Sequence, residues 1–319
     1  MPAEGTHEAR IKSEDGAGKL SRDINGSEAV QQFSGIYPAL VTPFTEADRI
    51  HEESLRRLVR RNLDQGVRGF YVTGSTGEAF LLSLEEREQV LEIVLDEVRG
   101  RAKVIAHVGC ISTGHTLRLG RHAREKGADA VSAVPPYYYK FSMDEILANY
   151  DEVANTLDMP LIVYNIPVRT GVELTEDHIR SLRKNRRIIG IKHTSMNLYQ
   201  LSRMKTTDPG MLVLNGHDEV FLGGLAMGCD GAIGSTFNFM ADKFLRIREQ
   251  FLAGNLAAAA AIQQEANEIL SVLMRIGVMQ GVKHILTRLG IDCGLCRRPF
   301  RPLHEAEKAD IDRVIGRYL

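Results

Sequence analysis

The chain has 319 residues, 44% of them hydrophobic, with 40 lysines and arginines set against 41 aspartates and glutamates. A chain this long can bury a large core, and its balanced charge argues against a surface built for nucleic acid or an anionic membrane, so the expected partner is a small molecule. Four cysteines (Cys110, Cys229, Cys293 and Cys296) are too few and too scattered for a disulfide framework; Cys293 and Cys296 form a lone C-x-x-C pair with no second pair or histidine cluster to complete a metal site. With no leader-like apolar run followed by a cleavage site and no membrane-spanning stretch, the expectation is a soluble, cytoplasmic protein.

Residues 1–33 are rich in Gly, Ser, Glu, Lys and Asp and lack apolar periodicity, which predicts a flexible N-terminal tail. From residue 35 onward short apolar runs alternate with longer amphipathic ones. The predicted strands cover 35–41, 69–72, 103–108, 130–134, 161–164, 188–191, 211–214 and 231–233. Among the predicted helices, 53–65 carries Leu55, Leu58, Val59 and Leu63 on one face, and 84–98 is opened by Ser83 and Glu86 at capping-box spacing. Eight strand–helix units in a chain of this length favour an α/β fold closed as a (β/α)8 TIM barrel over residues 34–254, and the absence of G-x-G-x-x-G after the first strand argues against a dinucleotide fold. Helices predicted at 256–273, 280–289 and 305–318 form a C-terminal helical extension, residues 255–319, of the same domain.

In such barrels the reactive groups stand at the carboxyl ends of strands and in the loops that follow. After the second strand, Thr73-Gly74-Ser75-Thr76-Gly77-Glu78 offers hydroxyl and amide donors at Ser75 and Thr76, suited to a carboxylate or a phosphate, or is an ordinary glycine-rich turn. The fifth strand ends in Tyr164-Asn165-Ile166-Pro167, and the sixth leads into Lys192. A lysine following Ile188-Ile189-Gly190-Ile191 either ends its strand in solvent or enters the barrel mouth, where desolvation favours the neutral amine that attacks a ketone. Imine chemistry needs no metal or cofactor but does need a proton shuttle, for which Tyr164 is the candidate, linked by hydrogen bonds to Thr76 and Tyr138. Asp218 and Glu219 after the seventh strand either cap the helix that follows or accept hydrogen bonds from a polyhydroxylated ligand.

Taken together, Gly74-Ser75-Thr76-Gly77-Glu78, Tyr164-Asn165-Ile166-Pro167 and Gly190-Ile191-Lys192 resemble the carboxylate-binding loop, relay tyrosine and imine-forming lysine of the dihydrodipicolinate synthase / N-acetylneuraminate lyase family of pyruvate-dependent class I aldolases. The resemblance runs from about Gly35 to the C-terminus. It implies an imine on Lys192, proton transfer by Tyr164, a keto acid carboxylate on Ser75 and Thr76, and a homotetramer in which Tyr138 serves a neighbouring subunit. Gly216, Asp218, Glu219, Ser235 and Thr194 match sugar-contacting positions, which implies cleavage of a sialic acid to pyruvate and an amino sugar. Arg169 departs from the sugar-cleaving members and is similar to the carboxylate-binding arginine of the synthases; it keeps open condensation of pyruvate with aspartate semialdehyde, or another 2-keto-3-deoxy sugar acid as substrate. A keto-acid sensor without turnover would not need Lys192, Tyr164 and Thr76 together.

Overall fold

A computed structural model describes residues 26–319. Eight parallel strands form the core: β1 (Gly35–Pro38), β2 (Gly69–Val72), β3 (Lys103–His107), β4 (Ala130–Ala133), β5 (Leu161–Asn165), β6 (Ile188–His193), β7 (Leu212–Asn215) and β8 (Gly231–Gly234). They pair in the order β1-β8-β7-β6-β5-β4-β3-β2, and Leu40 N donates to Tyr71 O beside the Ala39–Tyr71 bridge to close the ring between β1 and β2. The strands are buried on both faces and read as short apolar runs, the pattern of a parallel sheet wrapped by helices.

The helices are α1 (Gly26–Phe33), α2 (Glu52–Asp64), α3 (Leu84–Val98), α4 (Thr113–Lys126), α5 (Met143–Leu157), α6 (Pro167–Thr170), α7 (Glu176–Leu182), α8 (Leu198–Thr207), α9 (Phe221–Ala226), α10 (Phe237–Leu252), α11 (Leu256–Ile276), α12 (Val278–Arg288) and α13 (Glu305–Tyr318). The expected capping box is present at α3: Ser83 N donates to Glu86 Oε2 at 2.8 Å and Glu86 N to Ser83 Oγ at 3.1 Å. That fixes where the Gly-rich loop after β2 must end.

One expectation is corrected. Residues 26–33, assigned by composition to a flexible tail, form α1, with Ala29 and Phe33 buried among the inward side chains of the barrel. Two apolar residues four apart suffice here because the floor of the barrel supplies the rest of their packing. The remainder of the expected tail lies outside the described residues. Among the described residues no helix is long and apolar enough to cross a membrane.

Candidate active site

Lys192 reaches the barrel mouth through an irregularity in β6. Leu161 of β5 pairs with Ile188 and Ile162 with Gly190, so Ile189 is an extra residue in β6. Such a bulge re-aims the side chains beyond it. Ile189 packs inside the barrel, Ile191 packs outward against the helices, and Lys192 stands level with Tyr164, its pairing partner. Next to the bulge, Gly190 lets β7 approach closely, because a Cβ there would lie 2.1 Å from Leu212 O.

Lys192 is only 4% exposed, and its Nζ sits 4.0 Å from the centroid of the Tyr164 ring and 4.2 Å from that of Tyr71. Thus the lysine enters the mouth and does not end its strand in solvent. Behind it, His193 is fully buried on the helix side: its Nδ1 meets Asn165 Nδ2 at 3.2 Å and its Nε2 meets Asn197 O at 3.3 Å. Those partners require the neutral Nε2–H tautomer, and burial pushes the imidazole down to about 4. Beside Lys192, His107 is held well below the usual imidazole range by burial and then by the Arg87 guanidinium; its Nδ1 lies 3.0 Å from Thr73 O.

The loops bring the candidate recognition groups into one rim. Thr76 Oγ1 and Ser235 Oγ share a hydrogen bond of 2.7 Å, joining the loop after β2 to the loop after β8. Asp218 Oδ2 accepts from Thr236 N at 2.8 Å and from Thr236 Oγ1 at 2.7 Å. Full burial nonetheless raises the Asp218 carboxyl to about 6. Burial also acts against the Glu219 carboxylate, yet its contact with His217 Nδ1 at 3.0 Å and a backbone hydrogen bond leave it below the usual range. Gly216 N donates to His193 O, and the buried Thr194 hydroxyl beside it has no protein partner. Ser75 and Arg169 line a cavity of about 320 Å³ together with Phe80, Tyr137, Ile166 and Phe300.

Tyr138 is not brought to Tyr164 or Thr76 within this chain. It sits at φ +79°, 83% exposed, its ring edge against Tyr139. The left-handed turn swings the side chain outward, while the neighbouring Tyr137 lines the cavity and packs on Phe80.

Other parts of the site were missed from sequence. The C-terminal extension frames the loops after β2 and β7. Gln263 Nε2 donates to Asp218 O at 3.1 Å and Asn267 Nδ2 to Glu219 O at 3.1 Å, both from α11. Lys283 of α12 forms a buried ion pair of 2.6 Å with Glu78, whose other oxygen accepts from Arg297 N at 2.7 Å. Glu78 therefore anchors its loop and is not free for a ligand. Arg297 also grips Glu86 with two nitrogens, each at 2.6 Å. Among the described residues no cluster of three or more His, Cys, Asp or Glu could hold a metal ion.

A closed parallel barrel with a buried lysine at its mouth, faced by tyrosine rings and rimmed by hydroxyls and carboxylates, defines a lyase of the class I aldolase type. Residues 32–317 match the dihydrodipicolinate synthetase family, and the chain belongs to it. It is 44% identical over 286 residues to the N-acetylneuraminate lyase of Rhizobium meliloti (strain 1021), covering 89% of this chain and 95% of that protein. Among solved structures it is similar to CdNal from Clostridium difficile in complex with mannosamine, with TM-score 0.88, 37% identity and coverage of 90% and 99% of the two chains. The N-acetylneuraminate lyase from Fusobacterium nucleatum complexed with pyruvate gives TM-score 0.87 at 33% identity, with 92% and 99% coverage.

Proposed function

We propose that this enzyme cleaves N-acetylneuraminate reversibly to pyruvate and N-acetylmannosamine through an imine on Lys192. The observation that carries the reading is Lys192 itself, buried at the barrel mouth against the Tyr164 and Tyr71 rings. The free amine attacks the keto carbon, and loss of water gives a protonated imine that withdraws electrons from the adjacent carbon. As the C3–C4 bond breaks, its electron pair moves towards the imine nitrogen to leave an enamine, and Tyr164 takes the proton of the C4 hydroxyl so that the aldehyde can form. Protonation of C3 and hydrolysis then release pyruvate and restore the lysine.

In this reading Ser75 and Thr76 hold the substrate carboxylate, while Thr194, Gly216, Asp218, Glu219 and Ser235 hold the hydroxylated chain. The similarity to enzymes named N-acetylneuraminate lyase, and to structures carrying mannosamine and pyruvate, supports the substrate. The exposed Tyr138 fits a homotetramer in which it completes a neighbour's relay, and four unpaired cysteines fit the cytoplasm.

Arg169 favours a second reading, because it shares a cavity with Ser75. A carboxylate there would make pyruvate and aspartate semialdehyde the pair to condense. Pyruvate release from N-acetylneuraminate, coupled to a dehydrogenase, tests the first reading beside condensation of the second pair. Release without condensation supports the lyase; condensation without release overturns it.

A further inference from the structure

We propose that Tyr71 is a further catalytic residue, whose ring face holds the positive charge of the protonated imine on Lys192. The inference rests on the imine reading above and extends it to a residue outside the lysine, the relay and the recognition loops.

Lys192 makes no ion pair among the described residues, although it is 4% exposed. Imine formation does not remove the charge that must be accommodated. An ammonium and a ketone give an iminium and one water, with a single positive charge on each side, and the proton lost on the way to the free amine is regained when water leaves. A cation buried in the barrel mouth needs a compensating partner. Aromatic faces carry negative charge density and are worth most to a cation when water is excluded. The Tyr71 ring supplies one such face, 4.2 Å from Nζ, and Tyr164 the other, at 4.0 Å.

Tyr71 is placed for this use. It is fully buried, its hydroxyl donates to Ser132 Oγ at 3.1 Å, and its ring meets Tyr164 edge to face at 5.9 Å. The first glycine of the loop after β2 makes room for it, since a Cβ at Gly74 would lie 2.5 Å from the Tyr71 ring. The other titratable or charged groups around the pair are His107 of β3, which burial keeps neutral, Asp218 after β7, Tyr150 of α5 and Arg87 of α3. Asp218 Oδ2 accepts from Thr236, and the carboxylate makes no ion pair with Lys192 among the described residues. The two rings therefore carry the cation at close range.

The test compares rings of nearly constant volume that differ in charge distribution; every member lacks the hydroxyl that meets Ser132 Oγ, so that loss is common to the series. Phenylalanine, then progressively fluorinated phenylalanines, replace Tyr71 in the full chain, and each protein is incubated with pyruvate and cyanoborohydride, which reduces the protonated imine in preference to the neutral one. Reduced adduct on Lys192 is counted by mass against pH, with thermal melts as the control for folding. The expected result is a steady fall in adduct along the series, on the order of ten-fold from phenylalanine to the fully fluorinated ring, with the alkaline limb moving to lower pH. A series in which the folded proteins form equal adduct with unchanged limbs would overturn the role of Tyr71 while leaving the imine intact. No adduct even in the wild-type protein would overturn the imine reading and this inference with it.

Discussion

Two regions of this molecule solve different problems with different means. The strand-borne groups, Lys192, Tyr164 and Tyr71, are fixed by the barrel: each is buried, and their spacing follows from sheet register and one extra residue in β6. The rim groups, Ser75, Thr76, Asp218 and Glu219, stand on loops held from outside: Gln263 and Asn267 bind the backbone of Asp218 and Glu219, and Lys283 and Arg297 N hold the Glu78 carboxylate. Chemistry built into strands needs no outside support, whereas recognition in loops needs a scaffold of its own. That division explains why the polypeptide continues past the eighth strand.

The largest expected effect falls on the strand side. Lys192→Ala removes the amine buried at the mouth and should lower turnover by about 10³-fold or more, with the thermal melt nearly unchanged; steady-state kinetics and a melt check both halves. On the rim, Lys283→Ala leaves Glu78 buried without its counter-charge and should cost about 3–5 kcal/mol, read as a shift in urea midpoint. Loss of stability without loss of a reacting group would mark the difference between the regions.

Asp218 gives a pH signature. Its carboxyl is raised by burial to about 6 from 3.8, so the folded protein holds that proton more tightly than the unfolded chain does. The associated stability is present below the unfolded value and is lost as pH rises through about 6, by roughly 2–3 kcal/mol. Buried His193 and His107 add a slope of opposite sign to both proteins, so the Asp218 slope should appear as the difference between wild type and Asp218→Asn in denaturation across about pH 4–7. The same variant should weaken sugar turnover by about 10–100-fold and leave the pyruvate adduct on Lys192 in place. Arg169→Ala has the smallest expected effect on sialate cleavage, within about three-fold. A large loss there, seen in competition assays with aspartate semialdehyde, would transfer the weight to the synthase reading.

Much of this was legible in sequence, and the exceptions have physical reasons. Eight short apolar runs separated by amphipathic ones define the barrel because sheet and helix have different periods. The sixth strand was expected to stop at Ile191, yet it runs to His193, since polarity at Lys192 reflects the mouth and at His193 a hydrogen-bonded niche behind it. The bulge at Ile189 is invisible without knowing the register of β5. Tyr71 reads as an ordinary strand aromatic, and Glu78 as part of a ligand loop, because their partners lie far away in the chain at Ser132 and Lys283. Tyr138, which the resemblance assigns to a neighbouring subunit's relay, is turned to the surface of its own chain by its left-handed backbone, a conformation its sequence does not announce. In α1 a composition without periodicity concealed two residues that fit the barrel floor.

The central claim is that the reaction passes through an imine on Lys192, and the most direct test traps that bond from the substrate side. The full chain is incubated with N-acetylneuraminate, quenched with borohydride, digested and mapped by mass spectrometry, with Lys192→Ala treated in parallel. The account predicts a reduced keto-acid adduct on the peptide containing Lys192, with the adduct and pyruvate release both lost in the variant. Pyruvate release that persists in Lys192→Ala, or an adduct mapped to another lysine, would contradict it.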